Sequence, residues 1–378
     1  MAEVSGTCDA RFAPVRDALA EQLERDELGA SIVLDIDGQT VVDIWGGWCD
    51  TERTRRWEQD TITNVWSTTK TVTNLAALML IDRGQVDAYA PVADYWPEFA
   101  ANGKEAIAVR HILSHTSGVS GWDAPFAVAD MYDWTSSTER LAAQAPWWEP
   151  GTASGYHANN QGHLVGEIVR RITGLPLKRF VAEQIAGPLG ADFQIGAGER
   201  DWPRIAPVVP PPPLPIDLAS LPHESPTYKT FTGPVADAAN ANTAAWRQAD
   251  LGALNGHANA RSVVRIIKAL SLGGAVDGTR LLSPETIDLI FNEQSHGTDL
   301  VLGVPLRFGI GFALPETETV PYVPQGRCCY WGGWGGSEII ADLDRRVTFG
   351  YMMNNMAPGI IGSDRSETYV RAAYACLD

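Results

Sequence analysis

Ser67-Thr68-Thr69-Lys70 sets a hydroxyl and an amine three residues apart, and Lys70 is one of only five lysines in the chain. The tetrad opens a periodic segment in which Val72, Leu75, Ala76, Met79 and Leu80 fall on one helical face. Three residues make nearly one turn, so both groups project to the same side. A hydroxyl is a poor nucleophile until a base takes its proton, and a neutral amine one turn away can do that. A helix start also offers free N–H groups and a dipole that favour developing negative charge. The plain alternative is an ordinary Ser/Thr cap followed by a solvated lysine.

Two later segments bear on that choice. Tyr156 follows a Gly-rich turn, Pro150-Gly151-Thr152-Ala153-Ser154-Gly155, and precedes an apolar-periodic stretch with Leu164, Val165, Ile168 and Val169. A phenol beside a cation is drawn towards phenolate and can serve as base and later as acid. Trp331-Gly332-Gly333-Trp334-Gly335-Gly336-Ser337 lies between strand-like runs, and glycines there mark a bulge or a close approach to the backbone. A substrate carbonyl along that edge can receive a main-chain N–H, completing an oxyanion hole with the N–H of Ser67.

Other tempting residues fare worse. His111 and His115 have zinc-ligand spacing, but no Glu follows the first and Ser117-Gly118 breaks the segment, so a structural loop is expected. Cys328 and Cys329 lack a Cys-x-x-Cys partner, and no metal or other cofactor is implied. His157 and His163 lie near Tyr156, yet Ser67 lacks the Gly-x-Ser-x-Gly elbow that a histidine-based triad uses. His157 is read as lining or bracing the site.

The elements that must hold these residues are an α/β set interrupted by helices. Periodicity predicts a helix over 8–27, strands at Ser31–Ile36 and Thr40–Ile44 joined across Asp37-Gly38, and a helix from the tetrad to Arg83-Gly84. Prolines at 210–213, 215, 222 and 226 make 203–234 a wrapping loop. Helical patterning returns at Thr243–Leu254 and Arg261–Leu272. Strands follow at Leu306–Phe312, Cys329–Trp331, Glu338–Asp342 and Val347–Asn354, then a helix near Ser366–Cys376. The expected division is an α/β domain from 1–90 and 240–378, with a mainly helical insertion at 91–239.

The 378 residues suffice for a large core, and a net charge of −17 argues against nucleic acid or an anionic membrane as partner. Nothing approaches 18 consecutive apolar residues. With no basic, apolar leader at the start and five irregularly spaced cysteines, a reduced cytoplasmic protein is expected, as monomer or homo-oligomer.

Four segments in order resemble one family: the Ser-x-x-Lys helix start, His111-Ile112-Leu113-Ser114-His115-Thr116-Ser117-Gly118, Gly155-Tyr156-His157-Ala158, and the Gly-Gly-x-Gly-Gly-Ser block. The chain resembles the serine β-lactamase-like hydrolases, specifically the class C β-lactamase-related (family VIII) carboxylesterases. The resemblance implies a β-lactamase/transpeptidase-like fold, with an antiparallel sheet beside a mainly helical domain and the site between them. It implies Ser67 as acylated nucleophile, Lys70 and Tyr156 as the activating pair, and Trp334 as donor of the second oxyanion N–H. Trp331, Gly333, Trp334 and His157 are expected to contact a small-molecule ester.

Two departures narrow the substrate. Penicillin-interacting relatives carry Lys-Thr-Gly where this chain has Trp331-Gly332-Gly333, so an anionic β-lactam loses its anchor. The Tyr-x-Asn of true β-lactamases is absent, since Ala158 holds that place. Both point to neutral esters. Acyl transfer, weak amide or β-lactam hydrolysis, and a non-catalytic binding relative are the competing readings.

Overall fold

Asp37 and Gly38 both take positive φ, 51° and 85°, as a tight two-residue hairpin turn requires. They join the strands Gly29–Ile36 and Gln39–Gly47. The computed structural model describes residues 2–213 and 217–377, so Pro215 lies outside the described residues. The hairpin belongs to a nine-stranded sheet in which each neighbouring pair is antiparallel. Its order is Val4–Cys8, Gln39–Gly47, Gly29–Ile36, Val347–Met353, Glu338–Asp342, Cys328–Gly332, Ala313–Leu314, Pro305–Phe308 and Ser295–Thr298. Both chain ends therefore meet where Ile32 faces Tyr351.

Helix Ala260–Ser271 lies across this junction. Gly350 allows it close, because a Cβ there would come within 2.6 Å of Val264. Helices Ala13–Gln22 and Asp364–Ala375 pack against each other. Helix Thr69–Asp82 is buried at every position from Thr69 to Leu80, not on one face alone. A helix buried all round must satisfy its polar side chains internally. Thr73 Oγ1 donates to Gly252 O at 2.6 Å and Asn74 Nδ2 to Gly311 O at 2.7 Å, tying it to both flanking regions.

Four elements differ from their sequence reading. The first helix is shorter, Ala13–Gln22, and a strand, Val4–Cys8, precedes it. That strand lies at the sheet edge with small, exposed residues, so it carries no hydrophobic alternation. The Pro-rich stretch contains a helix, Pro226–Thr232, because Ser225 caps it and Pro226 occupies a first-turn position that needs no N–H. Helix Ala244–Gln248 stops early, since Asn255 donates to Trp246 O and Ala249 O and holds the following chain as a loop. The run 306–312 breaks at Gly309, whose backbone passes against Ile290 O. No helix among the described residues is long and apolar enough to cross a membrane.

Candidate active site

Trp66 takes φ 49°, a left-handed conformation that a bulky residue holds only under constraint. Its indole is wedged against Trp246 and Trp334, with ring centroids 5.5 and 5.2 Å away. The kink sets Ser67 ahead of a helix that begins at Thr69. Lys70 N–H still donates to Ser67 O at 2.9 Å, so the two side chains remain one turn apart.

Lys70 is buried, and its Nζ lies 2.9 Å from Ser67 Oγ, 2.8 Å from Ala158 O and 2.9 Å from Ala253 O. Burial holds its pKa well below the ordinary lysine value. A neutral amine has two hydrogens and one lone pair. The two carbonyls can take only the hydrogens, which leaves the lone pair for the Ser67 O–H.

Tyr156 is delivered by its backbone: its N–H donates to Asp299 Oδ1 at 3.0 Å. Asp299 Oδ1 also accepts from Val301 N and Leu302 N, both at 2.9 Å, so one buried carboxylate pins two segments. The phenol lies beside the Ser67 side chain and receives the Trp331 Nε1–H at 3.2 Å. Burial is the dominant influence and raises its pKa above the tyrosine norm. The sequence reading, a cation drawing the phenol towards phenolate, is thereby corrected. Lys70 Nζ sits 4.9 Å from the ring centroid, and burial drives both groups towards neutrality.

The glycine block closes the other side. Ser337 Oγ donates to Val65 O at 3.0 Å and lies 3.0 Å from Thr68 Oγ1, stitching the block to the nucleophile turn. Gly333 is pressed so closely that a Cβ would fall 2.4 Å from Val65 O. Among the described residues, neither the Ser67 nor the Trp334 main-chain N–H donates to another protein group.

Ser67, Tyr156, Trp66 and Trp334 open onto a cavity of about 390 Å³. Its walls include Val128, Met131, Phe231, Leu254, Ile360 and Pro210–Pro213. Asp237 is the one charged side chain among the described lining residues.

Trp331, Gly333 and His157 do not line this cavity, contrary to expectation. Trp331 stands against the Tyr156 hydroxyl, and Gly333 against Val65 O and Trp66 Cβ. His157 is buried, its Nδ1–H donating to Gly155 O at 2.7 Å and its Nε2 accepting from Ser117 Oγ at 2.6 Å. Burial pulls its pKa down to about 3 and that of His163 to about 4, so both are spent on bracing. His111 lies in helix Val109–Leu113, and His115 packs edge-on against Tyr156 with centroids 4.9 Å apart. Asp299 and the two lysine acceptors escaped sequence reading. Asp299 had only the Asx-turn signal of an acidic residue before a short glycine-closed loop.

The Beta-lactamase family matches residues 15–372. The Mycobacterium tuberculosis protein "Esterase/beta-lactamase LipL" is 33% identical over 96% of this chain and 86% of its own. A solved family VIII carboxylesterase is 40% identical with a TM-score of 0.92, covering 99% of this chain and 100% of that one. A penicillin-binding protein homologue from Caulobacter crescentus is 37% identical with a TM-score of 0.90, over 99% and 100% of the two chains.

Proposed function

This chain belongs to the β-lactamase family, and from that membership we propose that it hydrolyses neutral carboxylic esters through an acyl-enzyme on Ser67. Similarity to the esterase and carboxylesterase named above supports ester cleavage. The observation that carries the mechanism is the buried Lys70 Nζ, 2.9 Å from Ser67 Oγ and held by two carbonyls, so that in its neutral form the lone pair turns to the Ser67 O–H. Lys70 takes the Ser67 proton as Oγ attacks the carbonyl carbon. The oxyanion is received by the N–H groups of Ser67 and Trp334. Tyr156, protonated and beside Ser67, gives its proton to the leaving alcohol and regains one from Lys70. Water then repeats the sequence and releases the acid.

The cavity supports neutral rather than anionic substrates, since its described lining offers one carboxylate and no cation. Mixing excess enzyme with a p-nitrophenyl ester should give a burst of p-nitrophenol that Ser67→Ala abolishes. An undiminished burst from the variant would remove Ser67 from the reaction. A second reading, acyl transfer to an organic alcohol, draws on the same apolar walls, which receive such an alcohol better than water. Product analysis with a competing alcohol separates the two.

A further inference from the structure

Trp331 Nε1 lies 3.2 Å from the Tyr156 hydroxyl oxygen, and the two rings are 5.0 Å apart. Trp331 is 5% exposed and Tyr156 1%, so bulk water does not compete for the bond. An indole N–H donates and cannot accept. One side of the phenol oxygen is therefore committed to receiving a hydrogen, and the phenol's own hydrogen must point elsewhere. The other side-chain group beside the phenol is Ser67, while Lys70 spends its bonds on Ser67 and two carbonyls. Trp331 is itself held fast: it pairs with Ile339 in the sheet and packs 5.5 Å from the Phe308 ring.

We infer that Trp331 is a positioning residue that aims the Tyr156 O–H at the side of Ser67 where the leaving oxygen emerges. The inference rests on the acyl-enzyme reading above. In that step the bond between the carbonyl carbon and the alcohol oxygen breaks, and its electron pair leaves with the oxygen. That oxygen takes the Tyr156 proton, and the tyrosinate is restored by the proton that Lys70 received from Ser67. A lysine in this place would offer three freely turning donors and a charge favouring phenolate. The neutral indole aims the hydrogen and leaves the phenol protonated.

The test compares kcat/KM of wild type and Trp331→Phe on acetate esters whose alcohols run from p-nitrophenol to ethanol. A p-nitrophenolate departs without a proton, whereas an ethoxide needs one. Phe should cost the ethyl ester about tenfold or more but the p-nitrophenyl ester less than about threefold, given what general acids contribute. The plot of log kcat/KM against leaving-group pKa should steepen. An equal loss across the series, or none, overturns the assignment. If Trp331→Phe does not fold, the benzothiophene isostere of tryptophan at position 331 keeps the shape without the N–H and must give the same steepening. A wild-type enzyme with no burst would sink the acyl-enzyme reading itself; a burst with an unchanged slope sinks only the role of Trp331.

Discussion

Asp299 Oδ1 holds the main-chain N–H of Tyr156 at 3.0 Å, across 143 residues of sequence. The same oxygen gathers Val301 N and Leu302 N, so the carboxylate ties the Tyr156 turn to the loop after strand Ser295–Thr298. Asp299→Ala leaves three N–H groups without this acceptor. It should cost about 3 kcal/mol of stability, the scale of losing buried bonds to a charged acceptor, and lower kcat as Tyr156 drifts. Asp299→Asn keeps one oxygen and should be milder on both counts. Urea unfolding beside kcat for the two variants checks this; equal stability in all three proteins would contradict it.

Lys70 supplies a pH dependence whose sign follows from its burial. An amine with a depressed folded-state pKa binds fewer protons than the unfolded chain between that pKa and about 10.4. Lys70 is depressed in this way, so its contribution to stability rises with pH across that window. Relative to Lys70→Met, wild type should gain stability as pH climbs from neutral towards 10. Unfolding curves at several pH values measure the gap. A gap that does not change with pH would mean that Lys70 keeps its charge in the fold.

Gly333 tests the placement of the oxyanion donors. A methyl group there would meet Val65 O and Ser337 Oγ at 2.4 Å and Trp66 Cβ at 3.0 Å. Two of these contacts are to a backbone oxygen and to the Cβ of a wedged tryptophan, so the glycine block itself must move. Loss of one oxyanion donor costs roughly 10²–10³ in kcat, and Gly333→Ala should approach the lower end with KM little changed. A variant with wild-type kcat would show that the block yields without disturbing the Trp334 N–H.

What was legible in the sequence was local or punctuated by glycine. The Ser67–Lys70 approach follows from one helical turn, and the Asp37-Gly38 hairpin from two positive φ values. The crowding at Gly333 was legible as a glycine in a strand context. Contacts made across long sequence separation had no such signature. Asp299, Ala253 O and the direction of the Trp331 indole depend on which loops the fold brings together. Trp331 looked like a pocket wall because an aromatic residue reads the same whether it faces substrate or a neighbouring phenol. The edge strand Val4–Cys8 was hidden because strands with small, exposed residues lack alternation.

Asp237 makes the charge selectivity of the cavity testable without disturbing the nucleophile. Its Oδ1 accepts from Ala239 N at 2.9 Å, capping the short helical turn Ala238–Asn242 at the cavity wall. Asparagine keeps a cap oxygen and removes the charge, so Asp237→Asn should fold normally. A carboxylate-bearing ester feels repulsion on the order of 1 kcal/mol from an exposed like charge nearby. The variant should therefore improve kcat/KM for a succinate half-ester over a neutral ester of equal length by up to about fivefold. Exposed charges are screened within about 10 Å at 0.1 M salt, so the advantage should shrink as salt is added. An unchanged preference at low salt would place the selectivity in cavity shape instead of in this carboxylate.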